Sequence, residues 1–167
     1  PEDLSISQNN FDENLEDNSV VLTLSTTDQD SNDTHTYSLI SGQRDIDNDS
    51  FSINGDQLII NQSPDFETQS SYQVRIETTD REGLTYQESF ILSVNNIEES
   101  PTDIVLLLNS FDEDINSGTI ISPLSTIDSD NNERHTYEFV DGTGDYDNNK
   151  FTIEGNNLKI DESPDYE

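Results

Sequence analysis

Apolar residues recur at every second position along much of the chain, which is the pattern of β-strands that bury one face. In the run from Ser71 to Thr79, for example, Tyr72, Val74 and Ile76 alternate with polar residues. Runs of this kind are separated by turn residues such as Gly55. No stretch shows the period of an amphipathic helix, so the pattern predicts an all-β protein.

Seven strands are predicted within the first 100 residues. They run from about Asp3 to Ser7, Ser19 to Thr26, Thr34 to Ile40, Phe51 to Asn54, Gln57 to Asn61, Ser71 to Thr79 and Thr85 to Asn95. Short strands with one apolar face each predict two antiparallel sheets, packed as a seven-stranded Greek-key or immunoglobulin-like β-sandwich. The chain has no cysteine and no tryptophan. It therefore lacks the disulfide and the buried indole of true immunoglobulin domains.

The second predicted strand carries two more specific expectations. Val20, Leu22 and Leu24 share one face by their spacing and are expected to point inward. At the matching place 100 residues later, Ser122 interrupts that face and Pro123 points the other way. Because proline cannot donate a ladder hydrogen bond, this predicts a strand near the edge of its sheet.

The chain aligns with itself without a gap when it is shifted by 100 residues. Phe11-Asp12-Glu13, for example, falls on Phe111-Asp112-Glu113. Two tandem domains are therefore predicted, at 1–100 and 101–167, with the second incomplete because it stops before its last two strands. We expect this second copy to be cut short, disordered beyond Glu167, or completed by a strand from another chain, as in an extracellular polymer.

The composition is strongly acidic, with 37 Asp and Glu against 6 Lys and Arg and a net charge of −31. Nucleic acids and anionic membrane surfaces would be repelled, so neither is expected as a partner. No apolar run approaches the roughly 18 residues of a spanning helix, so membrane insertion is not expected either. Hard cations, which prefer oxygen ligands, are favoured.

Many of the acids lie in turns that the predicted topology gathers at one place. If successive strands run up and down, the turns and the chain exit at one end of the first domain carry Glu13, Asp65, Glu67, Glu98 and Glu99. Asp128 and Asp130 of the second domain are expected to face this end. Two carboxylates about 6 Å apart repel by roughly 3 kcal/mol at an effective dielectric near 20. Such a cluster therefore predicts a bound cation.

Calcium is the cation that fits this cluster best. It takes about six to eight oxygens and accepts carboxylates, amide oxygens and backbone carbonyls together. Magnesium demands a tighter octahedral geometry and keeps its waters. Zinc is not expected, because the chain has no cysteine and only two histidines.

Several motifs resemble those of a cadherin repeat, in the divergent form common in large bacterial surface proteins. They are Glu13 after the first strand, the pair Asp28 and Asp30 after the second, the triplet Asp65-Phe66-Glu67 after the fifth, and Asp80 after the sixth. The segment from Asn95 to Pro101 resembles the family's linker. It departs from it by carrying Asn96, Glu98 and Glu99 where an aspartate, an asparagine and an acid are expected.

The resemblance implies a calcium site at the junction of the two domains. Its upstream ligands would be Glu13, Asp65, Glu67, Asn96, Glu98 and Glu99, and its downstream ligands Asp128, Asp130 and Asn132. Asp28, Asp30 and Asp80 would bind calcium at a junction with a preceding domain. The function implied is that of a calcium-rigidified repeat in an extracellular adhesin or surface filament, without enzymatic activity. Its partners would be neighbouring repeats, and homophilic, cell-surface or glycan ligands.

Other features of the sequence could in principle form cation or catalytic sites. The run Asp45-Ile46-Asp47-Asn48-Asp49 looks like a calcium loop, but Ser50 and Asp56 stand where an EF-hand needs glycine and glutamate, so a capped turn is preferred. His35 and His135 are expected to be partly exposed strand residues. Acid pairs could do general acid/base work, but no apolar cleft is predicted that would tune their pKa, so an enzyme is not expected.

A carbohydrate-binding β-sandwich is the alternative function. Such a module needs exposed aromatic side chains on which a sugar ring can lie. Most aromatic residues occupy inward positions of the predicted strands, and Tyr86 and Tyr146 are the main candidates for exposure.

Overall fold

The computed structural model describes residues 1–30, 32–130 and 133–165. The chain forms two compact units, Pro1–Ile97 and Glu98–Glu167. Apart from two short 3-10 helices at Asn48–Ser50 and Asn148–Lys150, the regular structure of the described residues is β-strand. Within those residues no helix is both long and apolar enough to span a membrane.

The first unit is a sandwich of two four-stranded sheets. Its strands are β1 (Asp3–Ile6), β2 (Asn10–Asp12), β3 (Ser19–Thr27), β4 (Thr36–Leu39), β5 (Phe51–Asn54), β6 (Gln57–Ile60), β7 (Ser71–Thr79) and β8 (Thr85–Asn95). One sheet has the order β1-β3-β6-β5 and the other the order β2-β8-β7-β4. All pairs are antiparallel except β2 with β8, which is parallel.

The core of the first unit lies between the two sheets and is built from the alternating apolar positions. Leu58, Val74, Ile76 and Leu92 have no exposed surface, and each belongs to a strand whose neighbouring residues face the other way. At one end of the core the rings of Phe11, Phe51 and Tyr72 pack together, with centroids 5.3 to 6.4 Å apart. This burial is what the two-residue period of the sequence predicts.

All seven predicted strands are confirmed. The bounds predicted for β5, β7 and β8 agree with the structure, those for β1, β3 and β6 differ by one residue at one end, and β4 is shorter by two residues at its start and one at its end. The strand that the pattern missed is β2, because it has three residues and a single apolar one, Phe11. So short a strand shows no periodicity and is defined by its pairing with β8.

The predicted inward face of β3 was wrong at Val20. The register of β3 against β6 shifts between Val20 and Leu22, which marks a bulge. The bulge turns Val20 outward, with 47% of its surface exposed, and brings Val21 into the core with 3% exposed. A period of two cannot reveal this shift, because it arises from the pairing of two strands that are distant in sequence.

The two adjacent valines therefore provide a matched test of the register. Val21→Ala should lower the free energy of unfolding of the first unit by about 2 kcal/mol, because it removes two buried methyl groups and leaves a cavity. Val20→Ala should change it by less than about 0.5 kcal/mol. Urea denaturation followed by NMR signals of the first unit measures both, and the opposite ranking would contradict the bulge.

The described strands of the second unit form one sheet. They are β9 (Asp103–Leu106), β10 (Ile120–Ile127), β11 (Phe151–Glu154) and β12 (Asn157–Ile160), in the order β11-β12-β10-β9. The bulge of β3 recurs in β10, between Ile120 and Ser122. Ile121, Leu124 and Ile160 are the buried apolar residues of this unit.

The strand that carries Pro123 lies near the edge of its sheet, as predicted: β10 is next to the edge strand β9, although it has a partner on both sides. The first unit shows why proline is tolerated there. At the matching position the backbone N–H of Thr23 donates to the side-chain Oγ of Ser7, 3.0 Å away, and not to a ladder carbonyl. Pro123 therefore sacrifices no ladder hydrogen bond, and its own carbonyl accepts from the N–H of Leu107.

The run from Asp45 to Asp49 forms a turn that is held by its own side chains, as the sequence predicts. Asp45 Oδ2 accepts a hydrogen bond from the N–H of Gly42 at 2.8 Å. Asp47 uses both carboxylate oxygens, accepting from Gln73 N at 2.6 Å and from Gln69 Nε2 at 2.9 Å. The two bonds of Asp47 hold the turn against β7 and the residues just before that strand.

Candidate metal centre

At one end of the first unit, three loops bring oxygen ligands together. We call Glu13, Asp65, Glu67 and Asn96 the Glu13 cluster. Glu13 follows β2, Asp65 and Glu67 lie on the loop after β6, and Asn96 follows β8. One carboxylate oxygen from each of the three acids lies within 4.8 Å of the other two. The side-chain amide of Asn96 donates to Glu67 Oε1 at 2.9 Å.

Glu13 is the anchor of this cluster. Its side chain is 3% exposed. Oε2 accepts a hydrogen bond from the N–H of Phe66, and Oε1 accepts one from the N–H of Ile97, both at 2.7 Å. Because these bonds are charge-assisted, they fix the acidic loop after β6 and the segment after β8 in relation to one another. The cluster is therefore preorganised by the fold of the first unit.

Asp65 is held in its ionised form. Its carboxylate accepts hydrogen bonds from the hydroxyl of Thr68 at 2.8 Å and from the N–H of Thr68 at 3.0 Å. These bonds lower the pKa of Asp65, with the hydroxyl as the larger cause. An ionised carboxylate at neutral pH is the form that binds a hard cation.

A second group of acids lies in the second unit. We call Glu98, Glu99, Asp128 and Asp130 the Asp130 cluster. Asp130 Oδ2 accepts the N–H of Glu99 at 2.6 Å, and Asp128 Oδ1 accepts the N–H of Asp130 at 3.2 Å. Asp130 is 8% exposed. Its Oδ1 is buried and has no hydrogen-bond partner among the described residues, which is the state of an oxygen available to a cation.

Glu133 lies beside the Asp130 cluster. The pKa of Glu133 rises to about 7, because its side chain shares a hydrogen bond with Glu98, loses solvent, and lies near the charges of Glu98, Asp128 and Asp130. The hydrogen bond is the largest of these causes, and the neighbouring negative charges add to it. A bound divalent cation would offset those charges.

A third group lies at the other end of the first unit. The N–H of Asp30 donates to Asp28 Oδ1 at 3.0 Å, and the N–H of Leu84 donates to Asp80 Oδ1 at 2.8 Å. Hydrogen bonds from the N–H of Asp30 and from the ring of His35 are the first two causes that hold the pKa of Asp28 well below its usual range. Asp28 and Asp80 lie side by side, since the amino group of Pro1 is 2.9 Å from one and 3.7 Å from the other.

The predicted ligands thus fall into three groups, each assembled within one unit. Asn132 lies outside the described residues. Sequence reasoning missed Asp33 and Glu133, and it treated the two histidines as strand residues. His35 instead immediately precedes β4, and its Nε2 lies 3.0 Å from Asp28 Oδ2. The signal that could have revealed these residues is their recurrence at matched places in the repeat.

The two tyrosines proposed as sugar contacts differ in their environment. Tyr146 is 89% exposed. Tyr86 instead packs against the core of the first unit and is partly buried. The expectation of exposure was therefore wrong for Tyr86, because its strand, β8, has apolar neighbours on that face. Of the two candidates, only Tyr146 therefore offers an exposed ring on which a sugar could lie.

No protein-family model matches the chain, and no curated protein matches it. Solved structures do. Extracellular cadherin domains 1–4 of protocadherin gamma B7 are 26% identical to it, with a TM-score of 0.61, over 97% of this chain and 42% of that one. EC1–2 of human protocadherin-24 is 21% identical, with a TM-score of 0.71, over 94% of this chain and 74% of that one. A second structure of EC1–2 of that protein gives 17% identity and a TM-score of 0.66, over 96% and 77%.

These likenesses agree with the arrangement of two sheets around one core in the first unit and with the recurrence of its strands in the second. The chain spans less than half the length of the protocadherin gamma B7 chain that it matches. All-β content and cadherin-like neighbours together show that the chain has a cadherin-like β-sandwich fold.

Proposed function

We propose that this chain is a calcium-rigidified tandem repeat of an extracellular adhesin or surface filament, with a structural and adhesive role and no enzymatic one. The observation that carries the proposal is Glu13, a buried carboxylate whose hydrogen bonds hold the other acids of its cluster in place. The solved structures with this fold are extracellular cadherin domains, and one of them is described as a cis-dimer. Neighbouring repeats, homophilic contacts and cell-surface or glycan ligands are the partners we propose.

The donors present fit calcium. The Glu13 and Asp130 clusters supply carboxylate and amide oxygens and contain no sulfur or imidazole ligand, which is the donor set of a hard cation. The buried, unbonded Oδ1 of Asp130 points to the same conclusion. We propose that the two clusters share their calcium ions across the junction, as the order of acids along the sequence predicts.

The hydrogen bonds of the linker residues Ile97 and Glu99 are the reason that calcium would change the stiffness of the junction. The N–H of Ile97 is bonded to Glu13 of the first unit, and the N–H of Glu99 is bonded to Asp130 of the second. The backbone of the linker is therefore tied to a ligand carboxylate on each side. Bound calcium would offset the repulsion among the carboxylates that hold each end of the linker, so its loss should loosen the linker.

Small-angle X-ray scattering of the chain tests this proposal. We expect calcium to give a narrow distribution of shapes, and excess chelator to broaden it because the acids repel one another. Glu98→Gln combined with Glu99→Gln should give the broad distribution in calcium as well. Glu138→Gln combined with Asp141→Asn removes the same charge from exposed positions outside the clusters and should behave as the unaltered chain does.

Identical scattering in calcium and in chelator would contradict the proposal. So would equal behaviour of the two double variants, since the effect would then reflect net charge. Magnesium at the same concentration is the ionic control and should restore much less of the stiffness.

A further inference from the structure

A mixed nitrogen and oxygen ligand set occurs beside the Asp130 cluster in the second unit. Asp128, Glu133 and His135 each offer one ligand atom within 4.8 Å of the others. Asp28, Asp33 and His35 make the corresponding group in the first unit. We call these the histidine groups. The same arrangement arises twice although the second position is Asp in one unit and Glu in the other, so the chemistry is kept while the side chain varies.

The ligand types in these groups differ from those of the calcium clusters. Calcium prefers oxygen, whereas neutral imidazole is a good ligand for zinc, copper, nickel and iron. One imidazole and two carboxylates, with an open position left for water, is a set that a borderline divalent cation accepts. His135 Nε2 lies 3.4 Å from Asp128 Oδ2, so the nitrogen and the oxygen face the same space.

The burial of Asp128 is a second observation at this place. The side chain of Asp128 is 5% exposed, and its Oδ2 is a buried atom without a hydrogen-bond partner. His135 Nε2 is within ion-pair distance of this oxygen but makes no hydrogen bond to it, so the oxygen keeps its capacity to bind a cation. In the first unit the corresponding oxygen of Asp28 already accepts from His35 and lies near the amino group of Pro1. The second unit is therefore the clearer site.

We propose that Asp128, Glu133 and His135 bind a borderline divalent transition metal, with Zn²⁺ as the probe, and that Asp28, Asp33 and His35 form the matching site. Asp128 belongs both to this group and to the Asp130 cluster. Zinc and calcium would therefore depend on the same carboxylate, and zinc binding is best measured in calcium-free solution.

NMR of the imidazole nitrogens in the full chain tests the proposal, because the chain contains only two histidines. His35→Gln and His135→Gln assign the two rings. We expect Zn²⁺ to shift the Nε2 signal of His135 and then that of His35, while Mg²⁺ leaves both unmoved. Glu133→Gln should weaken zinc binding at His135 by at least about tenfold. Glu138→Gln, an exposed acid of the same unit, should leave it unchanged.

An Nε2 signal of His135 that does not move with Zn²⁺ would overturn the proposal. Equal zinc affinity in Glu133→Gln and Glu138→Gln would also overturn it, because zinc would then bind a lone imidazole. Glu133 is exposed, so its substitution should leave the fold intact, which the amide spectrum of the variant will check. Without calcium in the solution, these outcomes are independent of the stiffness of the junction.

Discussion

Glu13→Ala is expected to lower the free energy of unfolding of the first unit by about 2–4 kcal/mol in chelator. The substitution leaves the N–H groups of Phe66 and Ile97 without their acceptor, and each buried donor that loses its partner costs about 1–3 kcal/mol. Relief of repulsion from Asp65 and Glu67 offsets part of this cost. The loss should be larger in calcium, because the variant also forfeits the stabilisation that ligand binding gives the folded state.

Glu16→Ala is the matched control, since Glu16 is an exposed acid in the same loop. It should change the free energy of unfolding by less than about 0.5 kcal/mol in either solution. Urea denaturation must be followed by NMR signals of the first unit, because two units need not unfold in a single transition. If Glu13→Ala were as mild as Glu16→Ala, Glu13 could not be the anchor of the cluster.

Phe51→Ala should lower the free energy of unfolding of the first unit by about 3–5 kcal/mol. The ring is 4% exposed. It makes edge-on contacts with Tyr72 at 5.3 Å and with Phe11 at 6.4 Å between centroids, and such pairs contribute beyond the area they bury. Its loss leaves a cavity beside the rings of Phe11 and Tyr72.

Tyr72→Phe serves as the control for this substitution. It keeps the three rings together and removes only a hydroxyl, so it should cost less than about 1.5 kcal/mol. The same denaturation experiment measures both variants. A cost below about 1 kcal/mol for Phe51→Ala would show that the ring does not fill the core as the packing indicates.

The main lines of the fold could be predicted because they depend on local sequence. A strand with one buried face places its apolar residues two apart, and β5, β7 and the second half of β8 show that period. Because the sequence repeats, the second copy gave further support to elements predicted in the first. The positions of the acids could also be predicted, because alternating strand directions bring every second turn to the same end of a domain.

Details that depend on pairing could not be predicted in this way. Whether Val20 or Val21 enters the core is decided by the register of β3 against β6. The tolerance of Pro123 within β10 depends on the side chain that the matching N–H contacts in the first unit, that of Ser7. In both cases the deciding atom belongs to a strand or loop that is distant along the chain.

The sequence by itself determined an acidic, all-β chain of two repeats with acids at the strand ends, because period, charge and repetition are properties of the chain alone. Only the tertiary structure decided which of those acids are anchored and which lie beside an imidazole. Glu13 became an anchor through N–H groups 53 and 84 residues away in the chain. The ligand atoms of His135, Asp128 and Glu133 lie within 4.8 Å of one another only in the folded chain. Proximity of this kind is a product of packing, and no local pattern contains it.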